Sequence, residues 1–174
     1  MVNMKQKIRP FLWFDKECEE AMKFYVDVFN AAPYSKKNSK IVSIARYEKG
    51  IDTPQGPEME GKVLTGEFEL AGQKFMCLDG GPIFKFNESV SFFVECEDQD
   101  EVDYFWGKLS AVPESEICGW LKDKFGLSWQ IIPKQLGEYL SDPDKEKAGR
   151  VMQAMLQMKK IDIEKLKRAS KGEK

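Results

Sequence analysis

Residues 11–25 read FLWFDKECEEAMKFY, and residues 92–106 read FFVECEDQDEVDYFW. Each is an aromatic strand, then an acidic step, then an amphipathic helix. The second begins 92 − 11 = 81 residues after the first. At that offset Ala21, Phe24, Tyr25 and Val28 fall on Val102, Phe105, Trp106 and Leu109. A chain that repeats itself is built from repeated structural units. The expectation is two similar modules packed side by side.

In the first module, residues 8–14 (IRPFLWF) predict a buried strand. Glu17, Glu19 and Glu20 open a helix, where acidic groups meet the positive end of the helix dipole. Ala21, Phe24, Tyr25, Val28 and Phe29 share one face of it. Residues 40–47 predict a second strand, and 48–61, with Gly, Pro and charge but no periodicity, a surface loop. Residues 63–70 alternate, with Leu64, Gly66, Phe68 and Leu70 on one face. Thr65, Glu67 and Glu69 are expected on the opposite face, toward solvent. Ala71-Gly72 turns the chain into a strand over 73–79. The segment DGGPIFKFNES (79–89) links the modules.

The second module predicts a strand over 90–96, a helix over 98–109 and one brief strand in 112–116. A hairpin follows, 117–122 and 127–133 across DKFG (123–126). Gly72 and Gly126 hold equivalent places, an offset of 126 − 72 = 54 that sets Phe75 on Trp129 and Met76 on Gln130. The second module therefore lacks 81 − 54 = 27 residues of the first module's loop. Beyond the repeat, 135–140 predicts a helical turn and 141–170 a helical extension. Asp142 is its expected N-cap, with Pro143 at the first helical position. Met152, Met155 and Met158 are expected to pack on their own domain or across a dimer. Asp162 caps a last helix, and KLKRASKGEK (165–174) reads as a frayed tail.

Composition narrows the function by exclusion. The 174 residues are 42% hydrophobic and 32% charged, with a net charge of −2. No basic face for nucleic acid is implied. No stretch reaches the length of a membrane span. The segment MVNMKQKIRP lacks the apolar core of a secretory signal, so a cytoplasmic protein is expected. Four cysteines occur without a C-x-x-C pair, and four reduced thiols are expected. There is no histidine. That removes the commonest general base and transition-metal ligand, and excludes Ser-His-Asp and Cys-His triads.

The order β-α-β-β-β, twice, resembles the vicinal oxygen chelate superfamily, which includes glyoxalase I, fosfomycin and bleomycin resistance proteins and extradiol dioxygenases. MKFYVDVF (22–29) resembles its helix motif, and DKFG (123–126) its closing D-P-F-G hairpin with Lys124 in place of Pro. Residues 78–97, 118–133 and 141–166 resemble the PhnB-like branch, which carries the label 3-demethylubiquinone-9 3-methyltransferase. The resemblance implies an α+β fold. Two βαβββ modules form a cup-shaped, glyoxalase/bleomycin-resistance-like domain over 1–140, with module one at about 8–80 and module two at about 88–135. C-terminal helices follow, and a homodimer is implied.

The superfamily's chemistry runs on a divalent metal inside the cup. Its ligand places correspond to Pro10, Met76, Ser91 and Gln130, which are poor ligands for a hard cation. No metal and no cofactor is therefore expected. The pair Gly80-Gly81 leads into Pro82 rather than a helix, so no nucleotide-binding turn is visible. The candidate cup lining is Phe11, Trp13, Met76, Phe92, Trp120, Trp129 and Gln130; aromatics in strands usually pack, so taken singly these favour the core, while Gln130 needs partners if buried. Asp79 and Lys85 flank the linker, where a lysine could meet an anionic ligand and glycines could admit one; a plain surface turn is the alternative. The expectation is a PhnB-like protein that binds a small organic ligand, its reaction undefined and no catalytic residue assigned. The alternatives are a metal-dependent lyase, isomerase or dioxygenase, and a methyltransferase as the family label says.

Overall fold

Alternation in the first strand, β1 (Phe11–Phe14), sends Leu12 and Phe14 inward and leaves Phe11 half exposed. The chain, described by a computed structural model over residues 6–50, 53 and 56–173, continues from β1 into helix α1 (Cys18–Ala31). Strands β2 (Lys40–Arg46), β3 (Val63–Leu70) and β4 (Gln73–Asp79) follow. They assemble in the order β1-β4-β3-β2, with β1 and β4 parallel and the rest antiparallel. Helix α1 buries Cys18, Ala21, Met22, Tyr25 and Val28, and packs on β3 and β4. Tyr25 stacks on Phe68, and Phe68 on Phe75 at 5.1 Å between ring centres. Each large side chain so buried contributes about 1.5–3 kcal/mol.

The second unit repeats this plan with one strand fewer. Strand β5 (Ser91–Cys96) leads into helix α2 (Gln99–Leu109), then β6 (Trp120–Lys122) and β7 (Ser128–Pro133). The order β5-β7-β6 matches β1-β4-β3. The strand expected in 112–116 is instead a single 3-10 turn, Pro113–Ser115. Proline cannot donate to a ladder, which favours the turn. The expected strand over 117–122 is also cut short. Cys118 and Gly119 both take positive φ, 51° and 85°, and only the residues after them run extended.

The chain divides into two compact units, Met1–Phe86 and Asn87–Lys174. The C-terminal helices belong to the core of the second. Helix α3 (Lys134–Leu140) follows β7 with no residue between. Helices α4 (Lys145–Met155) and α5 (Ile163–Lys171) complete a cluster of Ile132, Leu136, Val151, Ile161 and Leu166. The cap of α4 is Asp144, which accepts from the Glu146 and Lys147 backbone N–H groups; the expected cap, Asp142, pairs with Lys147 instead. Met158 lies beyond the end of α4. Asp162 caps α5 as expected, but the helix runs to Lys171 rather than fraying from 165.

Two further expectations change in detail. A register irregularity between Ala45 and Arg46 sits opposite Thr65 and Val63, so Val63 is buried and Leu64 turns outward. The loop over 48–61 lies partly outside the described residues. Its described portion includes a 3-10 turn, Pro57–Met59, with Met59 fully buried. Among the described residues, no helix is long and apolar enough to cross a membrane.

Candidate functional site

Each sheet has a helix on one face, and the other face carries the residues of interest. In the second unit, strand pairing lines up Phe93, Gln130 and Trp120 in one row. The neighbouring row, Phe92, Trp129 and Leu121, points the opposite way because adjacent strand residues alternate faces. Trp129 is 2% exposed, and its indole N–H donates to the Asp123 carboxylate at 2.8 Å. Phe92 packs on Trp129 at 5.6 Å between ring centres. Phe92 and Trp129 are thus placed in the packed side of the sheet, not with Gln130. The residue that stands with Gln130 is Phe93, 56% exposed.

Burial pairs Phe11 with Phe93, an offset of 93 − 11 = 82, whereas residues 92–106 were aligned to 11–25 at 81. A slip of one residue exchanges the faces of a strand. The signal that could have found it was the hairpin. Met76 pairs with Phe11, and Gln130, its counterpart, pairs with Phe93.

Around this row lies a groove of about 370 Å³ within the second unit. Its floor is Phe93, Glu95, Trp120, Gln130 and Ile132. Its wall is Lys134, Leu136, Gly137 and Leu140 of α3 with Met155 of α4, and Cys118 also borders it. The Gln130 amide donates to the Ser91 hydroxyl at 2.9 Å. Lys134 at the rim pairs with Glu97, which holds its ammonium above the usual lysine range. Sequence reasoning missed the wall, because nothing in 134–155 marks which helical face meets a sheet. A second crevice, of about 430 Å³, is lined by Asp98, Gln99, Asp103, Lys160 and Asp162. Lys160 pairs there with Asp103 at 2.6 Å, whereas the side-chain oxygen of Gln135, which also lines the crevice, is buried without a hydrogen-bond partner.

In the first unit, Phe11, Trp13 and Met76 share the face away from α1. Met76 also pairs with Glu67, which therefore lies on that same face; its carboxylate accepts from Arg9 at 2.8 Å. The linker glycines serve packing. A Cβ on Gly80 would sit 2.2 Å from the Trp13 ring, whose N–H donates to the Gly81 carbonyl at 2.9 Å. Phe84 packs edge-on to Trp13 at 5.0 Å. Trp13 occupies the space that a ligand would need beside these glycines. Asp79 is buried, and its two oxygens accept from the Cys18 and Val63 backbone N–H groups at 2.8 and 2.9 Å. Burial pushes its carboxyl up from the ordinary value, against the pull of those bonds. Lys85 is exposed on the linker.

At the places that match the superfamily's ligands, this chain carries Pro10, Met76, Ser91 and Gln130, none of them a strong donor to a hard cation. Pro10 spends its carbonyl on the Met76 N–H, and Ser91 accepts from Gln130. Neither Met76 nor Gln130 is a strong hard-metal ligand. Among the described residues, no group of three or more His, Cys, Asp or Glu could hold a metal ion. The β1–α1 turn is not of the glycine-rich kind that cradles a nucleotide phosphate. The turn from β1 to α1 is Asp15-Lys16-Glu17, without glycine, and acidic residues open the helix.

Comparison with known proteins agrees with this architecture. The family model described as 3-demethylubiquinone-9 3-methyltransferase matches residues 6–132. A PhnB protein from Bacillus cereus, whose description carries the same label, is 38% identical. The alignment covers 74% of this chain and 99% of that one, with a TM-score of 0.58. The Pseudomonas aeruginosa protein PA1353 is 17% identical over 74% of this chain and 98% of its own, with a TM-score of 0.55, and shares the fold. No curated protein matches. The modules, their strand order and these matches together place the chain in the PhnB-like, 3-demethylubiquinone-9 3-methyltransferase domain family.

Proposed function

We propose that this protein binds a small, largely apolar organic molecule in the groove of its second unit, without a divalent metal. The observation that carries the reading is Gln130 set beside Phe93 and Trp120 and faced by Leu136, Leu140 and Met155, with Glu95 and Lys134 the charged groups of the lining. Apolar pockets with one or two convergent polar groups are the usual form of small-molecule sites. A flat aromatic ring would bury its faces between Trp120, Phe93 and Leu140. The Gln130 amide, anchored through its N–H to Ser91, has acceptor capacity for a ligand hydroxyl or N–H.

The wall comes from α3 and α4, beyond residue 132, where the family match ends. The fold supplies the floor, and this chain's own helices select what lies on it. A panel of aromatic and apolar compounds screened by thermal shift tests the reading. A ligand at 100 times its Kd adds about 2.7 kcal/mol to stability. Trp120→Ala and Leu140→Ala should each weaken that ligand, and Gln130→Leu should cost most for ligands that carry a donor. Hits unaffected by all three variants would place binding elsewhere. The exposed faces and the superfamily resemblance also favour a homodimer, which light scattering of the purified protein checks.

The family description favours a second reading, methyl transfer. It requires S-adenosylmethionine, and the residues present offer no recognisable cradle for it. Calorimetric titration with S-adenosylmethionine decides between the two. Heat of binding that saturates at one equivalent would favour methyl transfer.

A further inference from the structure

Cys18 opens α1, and Cys77 lies on β4 beneath that helix. Both are fully buried, and their sulfurs stand 2.7 Å apart. That is closer than two unbonded sulfurs rest, and longer than the ~2.05 Å of a disulfide. The pair sits in a pocket shaped for sulfur. A Cβ on Gly66 would meet Cys77 Sγ and Met22 Sδ, each at 2.8 Å, so only glycine leaves room for both. Cys96 differs, since its thiol donates to the Val94 carbonyl.

We propose that Cys18 and Cys77 form a disulfide when the chain folds in the presence of a small-molecule disulfide oxidant. The thiolate of one cysteine attacks the oxidant, forming a mixed disulfide and releasing one small thiolate. The second cysteine's thiolate then attacks the protein-bound sulfur, closing the Cys18–Cys77 bond and releasing a second small thiolate. Two protein thiols are oxidised, one small disulfide is reduced to two thiols, and the protons pass to the released thiols. The bond ties the first residue of α1 to an inner strand of the sheet.

Timing follows from burial. With no exposed sulfur, the folded pair is closed to oxidant and reductant alike. The adjoining Cys77 sulfur and burial also push the Cys18 thiol well above its ordinary range, which suppresses the thiolate. Oxidation therefore belongs to folding, before α1 settles on the sheet.

The test is refolding of the full chain with oxidised and reduced glutathione, then acid quenching, alkylation in denaturant and tryptic mapping. The expected result links residues 17–23 to residues 75–85, two hydrogens lighter than the free peptides, with Cys96 and Cys118 alkylated. The Cys118→Ser variant should give the same link. The folded, oxidised protein should keep the bond in reductant until denaturant is added. Alkylation of both Cys18 and Cys77 after refolding would overturn the proposal, as would linkage of either to Cys96 or Cys118.

Discussion

Gly80 carries no side chain because Trp13 occupies the place where one would stand. Gly80→Ala should therefore force the indole aside and cost about 1–3 kcal/mol, the usual range for overpacking. Chemical denaturation of the variant checks this. Asp79 lies one residue earlier and holds two backbone N–H groups in the core. Asp79→Ala leaves both without partners and should cost about 2–4 kcal/mol. The pH dependence has a definite sign. Burial raises the carboxyl groups of Asp79 and Glu101 above their ordinary values. The folded chain then keeps these protons to higher pH than the unfolded chain. Their contribution is fully present below the unfolded pKa, about 4, and is lost as pH rises through the folded value. Glu101→Gln keeps an oxygen for the Glu97 N–H and removes the buried charge. Relative to the native chain, this variant should gain stability as pH rises from 4 to 7. Parallel urea melts would reject the idea if the difference stayed constant.

The elements differ in how plainly they were written. Helix α1 was legible because its apolar spacing and acidic start agree. Strands β3 and β4 were legible because Ala71 and Gly72 both take positive φ at their turn, 47° and 91°. The α4 cap was misread by two residues. Both Asp142 and Asp144 precede the helix, and only geometry shows which one reaches the free N–H groups. Asp144→Ala should cost about 1 kcal/mol. Asp142→Ala, which loses a part-buried ion pair and one local bond but leaves the helix cap in place, should cost less. Thermal melts of the two variants rank them. Strand face was the other failure. Periodicity shows that β5 alternates but not which phase is inward, because Phe92 and Phe93 are equally apolar. Packing chooses, and it sets Phe92 on the buried Trp129.

At the scale of the whole molecule, the repeat predicted two modules, and the chain folds as two units of shared strand order. The unequal third strand and the role of the C-terminal helices were not legible. Both depend on contacts between segments distant in sequence. Val151, Ile161 and Leu166 bury against Ile132 and Leu136. Three such residues contribute about 5–9 kcal/mol, comparable with the whole stability of a typical domain. Removing residues 141–174 should therefore unfold the second unit. Hydrogen exchange across β5 and β7 measures this directly, and protection equal to that of the full chain would contradict it.

Pro133 ends β7, and Lys134 begins α3, so the strand that bears Gln130 turns directly into the helix beside the groove. No slack separates them. A guest too wide for the gap would lever α3 outward about this proline, and the twist would reach the glutamine three residues away. For the ligand proposed above, size and hydrogen bonding would thus be judged together, at this one corner.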